Sequence, residues 1–448
     1  MNFLEKLFPK NSSTLPNKPS AFDFLDHCRS DHQENYMKWF EDDYQDLSSE
    51  ASRSAAKYVE EFGLEKHSHN PHLLPELKEA IADYFKRCEI DCTSENIIVR
   101  VGIFELLQDL YRKIGIKNDE KVLFSLPISG YFIQQCHDNE IVVEFLNSDS
   151  KNGWKIDFTE LESILETQKI KIFFLNYPNP ISGAVLSKND IFTLAQIIRK
   201  HKDLLIIIDE SLRELFTSKN YEPHSLAAIQ DISLQIITIN NLKCYGLGNL
   251  DIAFACLKNT NIIDSLSHNH INVSEGNQRI AISALKISED SQKHLAQITE
   301  QCNQNSSLVA EELKIINENL SQKFGKKNDF VKSITNESQI NNSLLLQFTG
   351  IKGSNAGVSN QTLETDLDIA DFLKKEAGIA MMPGQCCLLP AEEMILRLYL
   401  LKSKQELQAG FKKINQALLQ LKMLSRSISV FKSSKLNSKE SDKDIAIR

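Results

Sequence analysis

The segment KIKIFFLNYPNPISG, residues 169–183, followed by KNDIFTLAQIIRKH at 188–201 and DLLIIIDES at 203–211, decides the fold. Two short runs of Ile, Phe and Leu, apolar at nearly every position, flank a stretch whose apolar residues recur at helical spacing. Strands without a polar face are buried on both sides, and two such strands joined by a helix run parallel. Outward from this unit the same kind of run returns at ENIIVRVG (95–102), EKVLFSLP (120–127), EIVVEFL (140–146), LQIITINN (234–241) and LDIAFACL (250–257). FELLQDLYRKIG (104–115) supplies another crossover helix. The chain therefore reads as α/β, with a mainly parallel central sheet and helices on both faces. Ligands of such sheets sit at the carboxyl ends of the strands.

Beyond LDIAFACL the pattern is helical to about residue 320, and a second alternation follows: SLLLQF (343–348), DIADFLKKEAG (368–378), IAMMPG (379–384) and ILRLYLL (395–401). This reads as a smaller α+β carboxyl-terminal domain. Residues 1–50 are polar and irregular and are taken as an amino-terminal arm. SEASRSAAKYVEEFG (49–63) and LLPELKEAIADYFKRC (73–88) read as helices opening a large domain over 51–300. The small domain is placed at 301–425. Residues 426–448, rich in Ser, Lys and Asp, read as a disordered tail.

A chain of 448 residues has room for about two to four folding units at roughly 100–200 residues each. Its apolar share of 42% and charged share of 25% are those of a globular protein. Fifty-one Lys and Arg against 60 Asp and Glu leave a net charge of −9, which offers no electrostatic reason for a nucleic-acid or membrane partner. Small molecules or proteins are expected instead. The nine cysteines are scattered, without a CxxC or a Cys/His cluster at metal spacing, so no metal site is expected and the thiols read as reduced. The opening MNFLEKLFPKNSS lacks the apolar run of a secretory leader, and a cytoplasmic location is expected.

Four segments carry chemistry in a fixed order: NYPNPISG at 176–183, IIIDES with Asp209 and Glu210, NNLKCYGLGNLD with Lys243, and MMPG followed by LRLYLL with Arg397. This order resembles that of the class I/II aminotransferases, pyridoxal-phosphate enzymes of fold type I, from roughly residue 51 to 425. The resemblance implies pyridoxal 5′-phosphate as cofactor, held through a Schiff base on Lys243. Lys243 would then move the proton at the substrate α-carbon while an amino group passes between an α-amino acid and a 2-keto acid. Asp209 would keep the pyridine nitrogen protonated, and Arg397 would take the substrate α-carboxylate as a bidentate pair. The backbone of Gly102 and Ile103, opening a helix, would face the phosphate. Tyr131 or Phe132 would lie against the ring, because Ser129 stands at the usual aromatic position. Asn179 would reach the ring oxygen through a one-residue shift of the turn, since Pro180 occupies the family's Asn position. A homodimer is implied, with Tyr58 reaching the neighbour's phosphate.

Several positions depart from that family. Asp251 stands eight residues after Lys243, where an Arg pairs with the phosphate; Leu212 replaces a Tyr, and Asn240 and Leu242 replace hydroxyl residues. Arg213 is a replacement candidate for the phosphate. Two other readings stay open: a catalytically inactive relative with a binding or regulatory role, and a lyase on the same fold.

Overall fold

A computed structural model describes residues 20–30, 36–40, 57, 73–216, 224–245, 247–266, 273–286, 289–325, 328–335, 342–356 and 361–423. Most of the helix expected at 49–63, including Tyr58, and the tail expected at 426–448 lie outside the described residues. The arm contains helix α1 (Ala21–Ser30) and strand β1 (Met37–Lys38), so it is not wholly irregular. Helix α2 (Pro75–Arg87) leads into alternating strands and helices: β2 (Ile97–Val101), α3 (Gly102–Ile114), β3 (Lys121–Ser125), α4 (Gly130–Asp138), β4 (Val142–Leu146) and α5 (Phe158–Thr167). Then come β5 (Ile170–Asn176), α6 (Lys188–Lys200), β6 (Leu205–Asp209), β7 (Ile236–Asn241) and β8 (Ile252–Leu257).

These seven strands from β2 to β8 form one sheet in the order β2-β8-β7-β6-β5-β3-β4. The five strands β3 to β7 pair in parallel, while β8 runs antiparallel to both neighbours. Alternate side chains of one strand enter opposite faces, and both faces are apolar here. On β6, Ile206 and Ile208 join one buried layer, and Leu205 and Ile207 join the other. Such continuous Ile-rich runs are stable only when helices cover both faces. Helix starts are written locally: Ser187 and Asp190 close a capping box at the head of α6.

Helices α7 (Thr260–Leu266), α8 (Glu275–Leu285) and α9 (Glu289–Phe324) follow. The domain boundary expected at residue 300 falls inside α9. After it come β9 (Lys332–Ser333), β10 (Ser343–Gln347), β11 (Ser354–Ala356), β12 (Gln361–Thr362), α10 (Asp366–Ala377), β13 (Ile379–Ala380), β14 (Met382–Pro383), β15 (Ile395–Tyr399), α11 (Lys404–Leu418) and β16 (Lys422–Met423). Antiparallel strands β14-β15-β10-β9 make a second sheet. Among the described residues no helix is long and apolar enough to cross a membrane.

The arm touches both parts. Strand β1 pairs in parallel with β13, and Trp39, fully buried, packs its ring on Gly410 of α11 and donates from Nε1 to Glu406 (3.0 Å). An added Cβ at Gly410 would lie 2.1 Å from the Trp39 ring, so only glycine admits this contact. Helix α1 docks instead at the start of α4, where an added Cβ at Gly130 would lie 2.4 Å from Phe22. Its apolar face is Ala21, Phe24, Leu25 and Cys28, all buried.

Candidate active site

The carboxyl ends of β5, β6 and β7 open on a cavity of about 620 Å³. Strands β5 and β6 place Asn176 in register with Asp209, and Asn176 Nδ2 donates to Asp209 Oδ2 (3.3 Å). Ser211 donates both its backbone N–H (2.9 Å) and its hydroxyl (2.5 Å) to Asp209 Oδ1. Asn241, the last residue of β7, donates from Nδ2 to Ser211 Oγ (3.0 Å) and accepts the backbone N–H of Lys243 at Oδ1 (2.8 Å). A hydrogen-bonded chain thus runs from the Lys243 backbone through Asn241, Ser211 and Asp209 to Asn176, and all five residues line the cavity. Asp209 is 5% exposed, and burial pushes its carboxyl up to about 6 against the opposing pull of the Ser211 hydrogen bonds. No cation among the described residues pairs with it. A positive charge brought beside such a carboxyl favours its ionised form.

The opposite wall comes from the second sheet. Arg397 on β15 is 5% exposed; its Nε donates to Ser343 Oγ (2.9 Å) and its Nη2 to the Pro180 carbonyl (2.6 Å). Its guanidinium lies 4.3 Å from the centroid of the Tyr399 ring. Held on three sides, the group has a fixed direction, which suits recognition of a planar carboxylate.

The sequence-derived residues separate into two groups. Lys243, Asp209, Tyr131 and Arg397 all line the cavity, with Phe132 beside Tyr131. Asn179, Gly102 and Ile103 do not. Asn179 is buried in its own turn: Nδ2 donates to the Pro127 carbonyl (3.0 Å), and Oδ1 accepts from the N–H groups of Ile181 and Ser182. Its amide is therefore committed to shaping the turn that presents Pro180, and Asn176 is the cavity-lining amide of this segment. Gly102 donates its N–H to the carbonyl of Asp251 (2.5 Å), and the wall beyond it is Phe104. Arg213 does not reach the cavity either. It pairs with Glu210 (3.3 Å) in a buried cluster to which Ser225 also donates, and Asn240 reaches Tyr84 rather than the cavity.

Sequence reading missed the arm. Arg29 and Phe40 both line the cavity, as do Asn342, Met382 and the pair Cys386 and Cys387. The signal for α1 was present in the spacing of Ala21, Phe24, Leu25 and Cys28.

Residues 34–414 match the family model for aminotransferase class I and II. The chain belongs to the class I and II aminotransferase family. Among curated aminotransferases, an aspartate aminotransferase of Bacillus sp. strain YM-2 is 28% identical over 225 residues, 49% of this chain and 56% of that protein. A kynurenine–oxoglutarate transaminase of Dictyostelium discoideum is 26% identical over 48% of this chain and 52% of that protein. The chain thus spans about half the length of the curated relatives it matches. The fold is that of solved family structures: an aspartate aminotransferase from Rhizobium meliloti superposes with a TM-score of 0.73 at 18% identity, covering 89% of this chain and 94% of that one. A pyridoxal-phosphate-bound C-S lyase from Staphylococcus hominis superposes with a TM-score of 0.70 at 17% identity, covering 92% and 93%. Class I and II aminotransferases use pyridoxal 5′-phosphate. The cavity fits the ring end of that cofactor, because an amine, a buried carboxylate and an amide converge on it at the strand ends.

Proposed function

We propose that this chain is a pyridoxal-phosphate-dependent aminotransferase that exchanges an amino group between an α-amino acid and a 2-keto acid. The observation that carries this is the meeting of Lys243, Asp209 and Arg397 on one cavity, from two separate sheets. When bound, the cofactor supplies an electron sink for the carbanion at the substrate α-carbon. Lys243 would hold the cofactor through its side-chain amine and would move the proton at the substrate α-carbon. Asp209 would hold the proton on the ring nitrogen, with its carboxylate fixed by Asn176 and Ser211. Arg397 holds the α-carboxylate and so sets the direction of the α-hydrogen. Tyr131, with Phe104 and Phe132, would lie against the ring. Gly102 and Ile103, which the family resemblance puts at the phosphate, lie outside the cavity lining, and the Gly102 N–H is donated to the Asp251 carbonyl. A homodimer, implied by the family resemblance, and a cytoplasmic location belong to the same proposal. So does a division into a large domain over 51–300 and a small one over 301–425.

The test is a titration of the purified chain with pyridoxal phosphate, followed by borohydride reduction and peptide mapping. A visible absorbance band, a label on Lys243, and keto-acid formation matched by bleaching of the band are expected. Absence of label on Lys243 overturns the reading. Keto acid released together with ammonia or a thiol, without transfer of the amino group, makes the protein a lyase.

A further inference from the structure

Three cationic side chains, Arg29, Lys243 and Arg397, line the cavity against one acid, Asp209. Lys243 and Arg397 have roles in the proposed reaction. Arg29 has none, and it comes from the arm, outside both sheets. Its placement is built. Phe22 packs into the space left by Gly130 and edge-on against the Tyr131 ring, with centroids 5.3 Å apart. About two turns further along α1, Arg29 Nη1 donates to Tyr131 Oη (2.6 Å), and the guanidinium lies 5.8 Å from the same ring. Asp26 on the preceding turn accepts a second bond from Nη1 (3.2 Å), but its side chain is 70% exposed and is not part of the cavity wall. Both bonds use Nη1. Among the described residues, Nε and Nη2 have no acceptor, and these two atoms form one of the edges with which a guanidinium grips an oxyanion bidentately.

The counterpart of this gain is a loss elsewhere. Asp251 stands eight residues after Lys243 with its backbone in the left-handed region (φ 49°), and its carbonyl takes the N–H at the head of α3. The position to which the family resemblance assigns a phosphate-binding cation therefore carries a carboxylate, and Asp251 does not line the cavity.

We propose that Arg29 is a second oxyanion-binding residue of this cavity, acting with Arg397 so that two separate anionic groups are held at once. The proposal rests on the aminotransferase reading and deepens it. The oxyanion is either the cofactor phosphate or a second carboxylate on the substrate; both present the same chemistry to Nε and Nη2.

The experiment uses the full chain and its Arg29→Ala and Arg29→Lys variants with two pairs of probes. Pyridoxal phosphate against pyridoxal, followed by absorbance, isolates the phosphate. Succinate against propionate, followed by calorimetry, isolates a second carboxylate. The expected result is that the wild-type chain prefers the more anionic member of one pair by about 10- to 100-fold, the range of a charge-assisted hydrogen bond. Arg29→Ala removes that preference and leaves the other member's affinity unchanged, and Arg29→Lys restores part of it. The pair that responds identifies the source. A wild-type chain without preference in either pair, a preference that survives Arg29→Ala, or an equal loss for both members of a pair overturns the proposal. Succinate binding is read without the cofactor, so a failure of the Lys243 chemistry is distinguished from a failure of Arg29.

Discussion

Arg397 Nη2 lies 2.6 Å from the carbonyl oxygen of Pro180, joining the last strand of the smaller sheet to the turn after β5. Ser343 Oγ donates to the same carbonyl (2.8 Å). The turn that departs most from the family pattern is thus the one that aims the guanidinium. Its proline has lost a side-chain donor but contributes a backbone acceptor.

Replacing Arg397 by Lys keeps the charge and loses the fork. Amino-acid turnover should fall by about 100-fold in kcat/KM, the scale of a bidentate charge-assisted pair. The absorbance of the bound cofactor should not change. Steady-state kinetics beside a spectrum of the same preparation check this, and an unaltered kcat/KM would remove Arg397 from the substrate site.

Asp209 gives the cofactor-free chain a specific pH signature. Its carboxyl titrates near about 3.9 when unfolded and is raised to about 6 in the fold. Between those values the folded state binds more protons than the unfolded one. This group's contribution to stability is therefore greatest below about pH 4 and falls as pH rises to about 6. Asp209→Asn should stabilise the cofactor-free chain at pH 7.5 by roughly 2–3 kcal/mol, with the gain shrinking toward zero near pH 4. Urea unfolding at the two pH values measures it; an equal gain at both would show that no shifted proton is involved.

Asp251→Arg should raise the affinity for pyridoxal phosphate by about tenfold or more, because a repulsive charge becomes an attractive one. Pyridoxal, which lacks the phosphate, should bind as before. Asp251→Asn is the companion variant: it removes the charge while suiting the left-handed backbone as well as Asp does. An intermediate affinity for Asn is expected, and an identical affinity for Asp, Asn and Arg would place the phosphate elsewhere.

Gly410→Ala should destabilise the chain by about 1–3 kcal/mol through overpacking against Trp39, outweighing the helix propensity of alanine, worth about 1 kcal/mol. Trp39 and Trp154 are the only tryptophans. Displacement of Trp39 from its buried site should redden the fluorescence, and an unshifted spectrum with unchanged stability would contradict the packing.

Asp209 and Lys243 were legible because each stands at or just beyond the end of an unmistakable buried strand, and strand ends are where such sheets bind ligands. Arg397 was legible as a charge inside an otherwise apolar run. Asn179 illustrates the limit. Whether an amide faces a cavity or closes its own turn depends on a shift of one residue, and nothing in NYPNPISG distinguishes the two. The arm was opaque for a different reason. Helix α1 is less than three turns long, and its partners lie a hundred residues downstream at Gly130 and Tyr131. Trp39 finds its socket at Gly410, and no local pattern signals a pairing so distant in sequence.

That distance orders events during synthesis. Trp39 leaves the ribosome about 370 residues before Gly410, which at roughly 5–20 residues per second is a wait of about 20–70 s. The central sheet can close in that interval, yet the wall carrying Phe40 cannot be anchored on α11 until that helix has been made. A segment made early is therefore among the last to reach its place, and the cavity it borders is completed only after α11 has been made.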